Sequence, residues 1–313
     1  MIYIITVTYN PIEGGYLDQF IECLNKQDLD CKTIIVDNNS HDGTTERLKN
    51  IDNPNISIIL NSTNVGFAAA CNQGISIAID GDAEYIVFLN NDTYFESNFL
   101  YLLSTAMVQS DADAMSPLIT YYPDTDIIWY AGGQFRPLSA YIPYHQNHGR
   151  SIASRMPSSR SVEFASGCCL IVRRDLIESI GGFDENYFVY WEDADFCYRM
   201  KERGFKIFFS IAVTIFHIGS ASTGGSNSNF SIYQFSKNHM IFLRKHFGEF
   251  FAIFSLLYIL PKMFAKLLLR RFSLQQCKTQ IDGLRHGLNL PRAQLFANTP
   301  KRWGLQGKSS ELQ

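Results

Sequence analysis

Several common nucleotide and metal motifs are missing from this sequence. It contains neither a G-x-G-x-x-G dinucleotide loop nor a Walker A loop, which disfavours a hydride-transfer enzyme and a P-loop kinase. Its 7 cysteines are odd in number and include no C-x-x-C pair, so neither a disulfide framework nor a zinc ribbon is indicated. The uncharged run over 250–261 is too short to cross a bilayer as a helix.

Positive charge is also scarce over most of the chain. The first 236 residues carry 14 Lys and Arg against 27 Asp and Glu, whereas residues 237–313 carry 13 against 3. With a net charge of −3 and a pI near 6.2, the chain is not expected to bind nucleic acid. An acidic body with a basic tail predicts two regions with different partners. The opening residues lack the basic segment of a secretory signal, so we expect a cytoplasmic setting.

Strand and helix patterns alternate over the first 90 residues. Short apolar runs rich in β-branched residues predict strands at 2–8, 32–37, 55–61 and 84–90. Residues 16–27 and 44–51 have the pattern of helices, and a third helix is expected after Gly66. This order predicts an α/β fold with a mostly parallel, doubly wound sheet, which binds its ligands at the carboxyl ends of the strands.

Asparagine and aspartate collect where these four strands end. The ends read Thr8-Tyr9-Asn10, Asp37-Asn38-Asn39-Ser40, Asn61 with Asn64 and Gly66 beyond it, and Asn90-Asn91-Asp92. Such residues also make good turns, but four successive strands that end this way predict a polar crevice at one edge of the sheet. Asp37 could accept hydrogen bonds from a base or a ribose. Asp92 offers a hard oxygen ligand for Mg²⁺ or Mn²⁺ on a diphosphate.

Six segments carry a resemblance to a known family. They read IITVTYN, IIVDNNSHDGT, NVGFAAACNQGI, FLNND, ASGCCLIVRRDLIESIGGFDENYFVYWEDADFCYRMKERGFKI and FHIGS. In this order, over roughly residues 2–220, they resemble the family-two glycosyltransferases of the GT-A fold. The branch they resemble most contains rhamnosyltransferases and galactofuranosyltransferases of bacterial surface polysaccharides. One departure is that the family's usual Asp-x-Asp metal motif reads Asn90-Asn91-Asp92 here, which weakens the case for tight metal binding.

The resemblance implies roles for individual residues. Asp193, the second acid of WEDAD, would be the catalytic base. Asp92 would hold a divalent cation, Mg²⁺ or Mn²⁺, and His217 would complete the metal site. The residues expected to bind the substrates are Thr8, Asn10, Asp37, Asn39, Asn64, Gly66, Asn72, Asn91, Gly167, Asp184, Trp191 and Glu192.

The same segments also have plain structural explanations. The acids of WEDAD suit the first turn of a helix, and Asp195 can pair with Arg199 four residues later. A lone histidine after an apolar run, such as His217, is often structural. Gly181 can cap the helix that RDLIESI predicts. Aromatic side chains scattered over 119–162 could stack on sugar rings or merely pack, and neither interpretation is favoured.

The C-terminal region begins after a linker-like GGSNSNFS at 224–231. Between residues 262 and 271, four basic residues lie among apolar ones: Lys262, Lys266, Arg270 and Arg271. This pattern favours an amphipathic helix in the membrane interface over a helical pair packed on the catalytic domain or on a second copy of the chain. We predict a catalytic domain over 1–225, divided near residue 118 into nucleotide-sugar and acceptor halves, and a membrane-associating helical region over 226–313.

The resemblance implies an inverting glycosyltransferase, peripheral to the cytoplasmic face of the cell membrane. Its reaction would move L-rhamnose from dTDP-rhamnose to a hydroxyl of a lipid-linked glycan in surface polysaccharide or O-antigen synthesis. One alternative is a UDP-sugar donor that carries galactofuranose or a hexose. Another is a non-catalytic nucleotide-sugar-binding partner of another transferase. A glycosidase is disfavoured, because two carboxylates would have to flank the scissile bond.

Overall fold

The computed structural model describes residues 1–154, 156–219 and 227–297. The strands are β1 Ile2–Thr8, β2 Cys31–Asp37, β3 Ile56–Leu60, β4 Tyr85–Leu89, β5 Thr93–Tyr94, β6 Ala114–Tyr121, β7 Ile128–Tyr130, β8 Gly133–Phe135, β9 Pro143–His145, β10 Arg160–Val162, β11 Cys169–Arg173 and β12 Ile207–His217. The α-helices are α1 Leu17–Asn25, α2 Thr44–Lys49, α3 Phe67–Asp80, α4 Phe99–Ser110, α5 Arg174–Ile180, α6 Glu192–Glu202, α7 Asn229–Phe254, α8 Leu256–Leu268, α9 Leu274–Asn289 and α10 Arg292–Ala297.

The predicted α/β fold is confirmed, and the four predicted strands form one half of its main sheet. β3, β2, β1 and β4 lie side by side in that order, and all of them run parallel. Successive residues of β2 point to opposite faces. Ile35 packs with Leu17 and Leu48 of α1 and α2, whereas Ile34 and Val36 join the core that contains α3. Helices therefore cover both faces of the sheet.

In the other half of the sheet, β11 runs antiparallel to the strands on both of its sides, β4 and β6, while β12 lies parallel to β6. The short strands β5, β7 and β10 also pair antiparallel with their neighbours. The beginning of β11 therefore lies at the edge where β1, β2, β4, β6 and β12 end. The chain leaves β6 at this edge and returns to it at the start of β11. This edge is where the predicted site residues are expected to meet.

The first C-terminal helix, α7, packs against the part of the chain before residue 220. Ser228 caps α7 by accepting a hydrogen bond from the amide of Ser231, so the last residues of the predicted linker are helical. Residues 220–226, which include the first three residues of that linker, lie outside the described residues, as do residues 298–313. The middle of α7, residues 238–244, is buried on every side. α7 is thus part of the folded core.

Two glycines bring α9 close to α7. A Cβ atom on Gly283 would lie 2.6 Å from the carbonyl oxygen of Tyr233, and one on Gly287 would lie 2.3 Å from that of Lys237. Neither approach tolerates a side chain. The main-chain contact therefore fixes how α9 sits on α7, and it positions the α8 helix that connects them.

α8 has one face toward the protein and one toward solvent. Ile259 is buried, whereas a stripe of large apolar side chains, which begins at the end of α7 and extends along α8, is exposed. This stripe, here called the outer face, comprises Phe250, Ile253, Phe254, Leu257, Leu260, Phe264 and Leu268. No single helix among the described residues has the length and apolarity to cross a membrane, although α7 and α8, bent by 65° at their junction, satisfy both requirements as a pair.

Candidate active site

A cavity of about 400 Å³ opens at the edge of the sheet where the parallel strands end. Its walls come from the ends of β1, β4 and β12, the start of β11, the start of α6, and α7. Ten of the predicted site residues line it: Thr8, Asn64, Gly66, Asn91, Asp92, Gly167, Trp191, Glu192, Asp193 and His217. Residues that are far apart in the chain therefore share one chamber.

Strand pairing brings Asp92 and His217 together. The short β5 pairs antiparallel with the end of β12, where Thr93 lies opposite His217. The His217 Nε2 atom lies 3.2 Å from the Asp92 Oδ1 atom, and both side chains are buried. Neither ring nitrogen of His217 makes a hydrogen bond within the described residues. The edge of Trp129 packs against the imidazole, with ring centroids 4.5 Å apart. This pair provides unsatisfied ligand atoms of the kind that divalent cations bind.

The amides that precede Asp92 are held by the sheet. The Asn91 side chain donates to the Thr8 hydroxyl at 2.8 Å, and the Asn90 backbone amide donates to the Cys168 carbonyl at 2.9 Å. These bonds fix the loop after β4 between β1 and β11. Across the described ranges, no group of three or more His, Cys, Asp or Glu side chains could hold a metal ion by itself. Any cation here would take its remaining ligands from a substrate and water.

Asp193 lies at the start of α6 and faces the beginning of β11. Its Oδ2 accepts a hydrogen bond from the Gly167 amide at 3.0 Å, and its Oδ1 accepts one from the Ala194 amide at 2.8 Å. Burial raises the pKa of the Asp193 carboxyl, while the backbone hydrogen bonds oppose that rise. The side chain remains half-buried at the cavity wall. A carboxylate with a raised pKa is better matched to taking a proton than an ordinary surface aspartate.

Glu192 has a different environment from its neighbour. Its side chain is buried, and Oε2 has no hydrogen-bond partner within the described residues. Burial, and then the adjacent charge of Asp193, raise the pKa of Glu192 well above its usual range. The neutral form of Glu192 is therefore favoured, which leaves Asp193 as the charged member of the pair.

Two consecutive aromatic residues before these acids adopt left-handed backbone conformations. Tyr190 has φ = 69° and Trp191 has φ = 75°, and this conformation costs about 1–2 kcal/mol for each non-glycine residue. α7 holds the strained segment in place. The Asn238 side chain donates to the carbonyls of Val189 and Tyr190 at 2.9 and 2.8 Å, and His239 stacks on Trp191 with centroids 4.5 Å apart. Strain held in this way beside a cavity is typical of functional sites.

Trp191 also presents an unused donor. Its Nε1 is buried without a hydrogen-bond partner among the described residues, although the side chain lines the cavity. Such an unpaired donor is costly unless a ligand accepts its hydrogen bond.

Gly66 shapes the opposite wall. Its φ is +87°, and a Cβ atom there would lie 2.6 Å from the Phe188 carbonyl oxygen. The Asn64 side chain accepts a hydrogen bond from the Gly66 amide, and the Asn38 side chain donates to the Gly66 carbonyl. Only glycine allows this close approach between the loop after β3 and the segment before α6.

Five predicted site residues do not line the cavity. Three of them form a neighbouring polar cluster at the ends of β1 and β2. Asp37 accepts hydrogen bonds from Ser40 and Thr45, Asn10 accepts one from the His41 amide, and Asn39 contacts the His41 ring. This cluster lies at the same edge of the sheet as the cavity. Local hydrogen bonds hold these three side chains beside the chamber, and their role in binding the substrates stays a prediction.

The other two predicted residues, Asn72 and Asp184, form hydrogen bonds and an ion pair within the protein. The Asn72 side chain donates to the Phe183 carbonyl and to Glu185, and it accepts from the Phe183 amide. Asp184 is buried and forms an ion pair with Lys245 of α7 at 2.5 Å. These contacts hold the turn after α5, and the role of both residues in binding the substrates stays a prediction.

Asp195 is a structural acid, as its spacing from Arg199 predicts. It is buried and pairs with Arg199, Lys245 and His246 at 2.7, 2.8 and 2.9 Å. Although burial acts to raise the pKa of Asp195, these cationic partners hold it well below its usual range. The cluster joins α6 to α7.

Sequence patterns did not reveal several cavity residues. Trp129 belongs to the aromatic segment over 119–162, whose pattern is compatible with both packing and sugar stacking. In the structure it contacts His217 and lines the cavity. Phe230 and Phe235 come from α7, which sequence assigned to a membrane-associating region. Only the fold reveals their position, since their spacing is that of any amphipathic helix.

Known proteins are similar to this chain in sequence and in fold. The sequence model of Glycosyl transferase family 2 matches residues 3–181. An N-acetylglucosaminyl-diphospho-decaprenol L-rhamnosyltransferase of Mycobacterium tuberculosis is 27% identical over 263 residues, covering 78% of this chain and 85% of the relative. The dTDP-rhamnosyl transferase RfbF of Shigella flexneri is 27% identical over 258 residues, covering 78% and 80%.

Among solved structures, the mannosyltransferase PcManGT from Pyrobaculum calidifontis, in complex with GDP-Man and Mn²⁺, superposes with a TM-score of 0.56. The match covers 92% of this chain and 86% of that chain at 12% identity, so it supports the fold alone. The family match spans more than half of the chain and includes the ends of β1 and β4 and the start of β11, which form part of the cavity wall. The polar chamber at the sheet edge thus belongs to an enzyme, a glycosyltransferase of family 2.

Proposed function

We propose that this enzyme transfers L-rhamnose from dTDP-rhamnose to a hydroxyl of a lipid-linked glycan, with inversion at the anomeric carbon. The observation that carries this proposal is the half-buried Asp193 carboxylate, which shares one cavity with the buried Asp92–His217 pair. The choice of donor is supported by the two relatives named as rhamnosyltransferases. The lipid-linked acceptor is supported by the name of the mycobacterial relative. The product would enter surface polysaccharide synthesis.

The reaction needs one base and one displacement. Asp193 takes the proton of the acceptor hydroxyl as that oxygen attacks the anomeric carbon. The bond from this carbon to the diphosphate oxygen breaks, and the nucleoside diphosphate leaves with the electron pair. The favoured neutral form of Glu192 leaves Asp193 as the base. A single displacement inverts the configuration at the anomeric carbon.

Asp92 and His217 would hold a divalent cation, Mg²⁺ or Mn²⁺. The buried His217 ring, with two unpartnered nitrogens next to a carboxylate, fits such an ion. When bound, the cation supplies positive charge near the leaving diphosphate. With only two protein ligands, we expect a modest affinity that rises when the nucleotide contributes phosphate oxygens.

Different regions of the chain would bind the donor, the acceptor and the membrane. We assign the nucleotide to residues up to about 118, the glycan of the acceptor to about 119–225, and membrane recruitment to the region after 226. The outer face supports the last assignment, because it exposes large apolar side chains of α7 and α8 near Arg270 and Arg271. The enzyme would then work peripherally at the cytoplasmic face of the membrane.

A donor screen tests the proposed reaction. The purified chain is incubated with dTDP-rhamnose, UDP-galactofuranose and UDP-hexoses, each with a lipid-diphosphate glycan, and release of the nucleoside diphosphate is followed. We expect turnover with dTDP-rhamnose to exceed the others by at least about tenfold, and we expect NMR to show inversion in the product. Preference for a UDP-sugar would replace the donor, and a product with retained configuration would exclude the single displacement.

A further inference from the structure

A second cavity lies beside the active site and opens between α7, α8 and α9. Its volume is about 490 Å³, and we call it the lysine groove. Apolar side chains form most of its wall, including Ile232, Ile259, Met263, Phe272 and Leu284. A pocket of this size and lining suits an elongated hydrocarbon chain rather than a sugar.

The lysine groove and the active-site cavity share a wall. The side chains of Tyr190 and Phe235 line both cavities. Tyr190 directly precedes Trp191 in the strained segment, and Phe235 packs on Trp191 with ring centroids 5.3 Å apart. A molecule that extends from the groove past these two rings would therefore reach the cavity that contains Asp193.

Two lysines place positive charge at the apolar groove. Lys262 and Lys266 lie four residues apart on α8, so they project from the same side of that helix. Neither pairs with a carboxylate in the part of the chain that the structure describes. Lys262 donates to the Tyr258 hydroxyl at 3.1 Å, and the Lys266 ammonium lies 4.2 Å from the Phe272 ring centroid. Their charges are thus available to an anion.

A polar side chain at the groove also lacks a partner. The Oε1 atom of Gln280 on α9 is buried and makes no hydrogen bond within the described residues. Because a glutamine amide can turn by 180°, this side chain can offer either a donor or an acceptor. The groove therefore combines apolar walls, two unpaired cations and one unsatisfied amide.

We propose that the lysine groove binds the lipid-diphosphate end of the acceptor. Lys262 and Lys266 would contact the diphosphate, the apolar wall would hold the first isoprenoid units, and the sugar would extend past Tyr190 and Phe235 toward Asp193. The outer face of the same helix is exposed, so a chain leaving the groove has a short path to the membrane. This inference rests on the proposed function, because it names the subsite for that acceptor.

Direct binding tests the groove without requiring any transfer. Geranyl diphosphate is titrated into the full chain by calorimetry, and inorganic diphosphate and geraniol are titrated separately. We expect geranyl diphosphate to bind at least about tenfold more tightly than inorganic diphosphate or geraniol. The double variant Lys262→Gln, Lys266→Gln should weaken it by roughly ten- to a hundredfold, as lost charge-assisted contacts do. Lys278→Gln, on an exposed surface of α9, is the matched control and should bind normally.

Arginine variants separate charge from folding. Lys262→Arg with Lys266→Arg should retain binding, because the positive charge remains. Equal affinity in the glutamine and wild-type proteins would overturn the proposal. It would also be overturned if inorganic diphosphate bound as tightly as geranyl diphosphate, or if phosphatidylglycerol vesicles bound through these lysines while geranyl diphosphate did not.

Transfer kinetics then connect the groove to the acceptor. The glutamine double variant should raise KM for a lipid-diphosphate glycan at least about tenfold and leave kcat nearly unchanged. The same glycan on an octyl aglycone should show no change in KM, since it lacks the diphosphate. Equal losses with both acceptors would contradict the groove assignment. Wild-type protein that binds geranyl diphosphate yet transfers no sugar would contradict the proposed function and leave the groove intact.

Discussion

Asp193 and Glu192 are neighbours in the chain, yet their surroundings differ. Backbone amides of Gly167 and Ala194 hydrogen-bond to the Asp193 carboxylate, whereas Glu192 is buried with one oxygen unpartnered. Hydrogen bonds to the charged form favour that form, and burial without them disfavours it. The two adjacent acids thus differ: burial raises the pKa of Glu192 well above its usual range, whereas backbone hydrogen bonds oppose the rise in the pKa of Asp193.

Asp193→Asn tests this assignment, since it keeps the size of the side chain and removes its basicity. We expect kcat to fall by at least about a hundredfold, while calorimetry shows the affinity for the nucleoside diphosphate within about twofold of wild type. Asp175→Asn, at an exposed helix start, is the matched control and should retain full activity. Near-normal turnover of Asp193→Asn would remove this residue from the mechanism.

The pH dependence of the rate has a definite sign. The base must be ionised, so kcat/KM should rise with pH through the pKa of Asp193. Burial raises that pKa, so the acid limb should lie above the ordinary aspartate value of 3.8. The limb should vanish from the residual activity of Asp193→Asn, and a limb that persists there would belong to another group.

Metal removal tests the Asp92–His217 pair. Activity should be lost in EDTA and return with Mg²⁺ or Mn²⁺, and Asp92→Ala should stay inactive at cation concentrations that saturate the wild type. Bound Mn²⁺ can be counted separately by electron paramagnetic resonance. Asp82→Ala, at an exposed aspartate, provides the control. Full activity in EDTA would show that the site works without a cation.

At the scale of elements, α7 determines the shape of the active site. It buries residues 238–244, forms ion pairs with the turn after α5 and with α6, and braces the strained backbone at Tyr190 and Trp191. Removing that brace should allow the segment to relax toward ordinary backbone angles. The start of α6, which carries Asp193, would then move.

Asn238→Ala removes the brace with little loss of volume. Two backbone carbonyls lose their donor, so we expect the free energy of unfolding to fall by about 1–3 kcal/mol, measured by urea denaturation. We also expect kcat to fall several-fold with donor affinity preserved, because Asp193 is displaced. Asn289→Ala, at an exposed position on α9, is the control. Unchanged stability together with unchanged kcat would show that α7 does not brace the site.

Elements defined by local pattern could be predicted from sequence, and elements defined by distant contacts could not. The strands β1 to β4 are short β-branched runs that end in polar residues, so their positions in the chain and the polar edge at which they end follow from the sequence alone. The left-handed angles of Tyr190 and Trp191 could not be anticipated, because they depend on Asn238 and His239 almost fifty residues later. The contacts of Asn72 could not be anticipated either, because its partner Phe183 lies far along the chain.

At the scale of the whole molecule, exposed apolar surface is concentrated at one end. Phe250 is 84% exposed, Leu257 69% and Leu268 67%, and all belong to the outer face next to the basic end of α8. The sequence predicted an amphipathic helix here, but its charges were all assigned to lipid headgroups. In the structure, Lys262 and Lys266 line a cavity instead.

Vesicle binding tests the outer face. The triple variant Leu257→Ser, Phe264→Ser, Leu268→Ser should lose most binding to phosphatidylglycerol vesicles in a sedimentation assay, while transfer to a soluble acceptor persists. Binding of the wild type should weaken as salt rises, because each basic residue near the surface contributes about 1 kcal/mol. The control is Tyr101→Ser with Val108→Ser, two exposed apolar residues of α4. If the triple variant instead separated a dimer in solution, the outer face would be a subunit contact.

The reversed direction of β11 has a consequence for how such enzymes diversify. The chain leaves β6 and re-enters β11 at one edge of the sheet, so the excursion over 122–168 begins and ends at that edge. A segment that begins and ends at one edge of the sheet can lengthen, shorten or be exchanged without disturbing the register of β1, β2 and β4. It also supplies Trp129, His145 and Phe164 to the cavity wall. New acceptor preferences could therefore evolve by replacing this excursion as a unit while the nucleotide-facing strands are inherited unchanged.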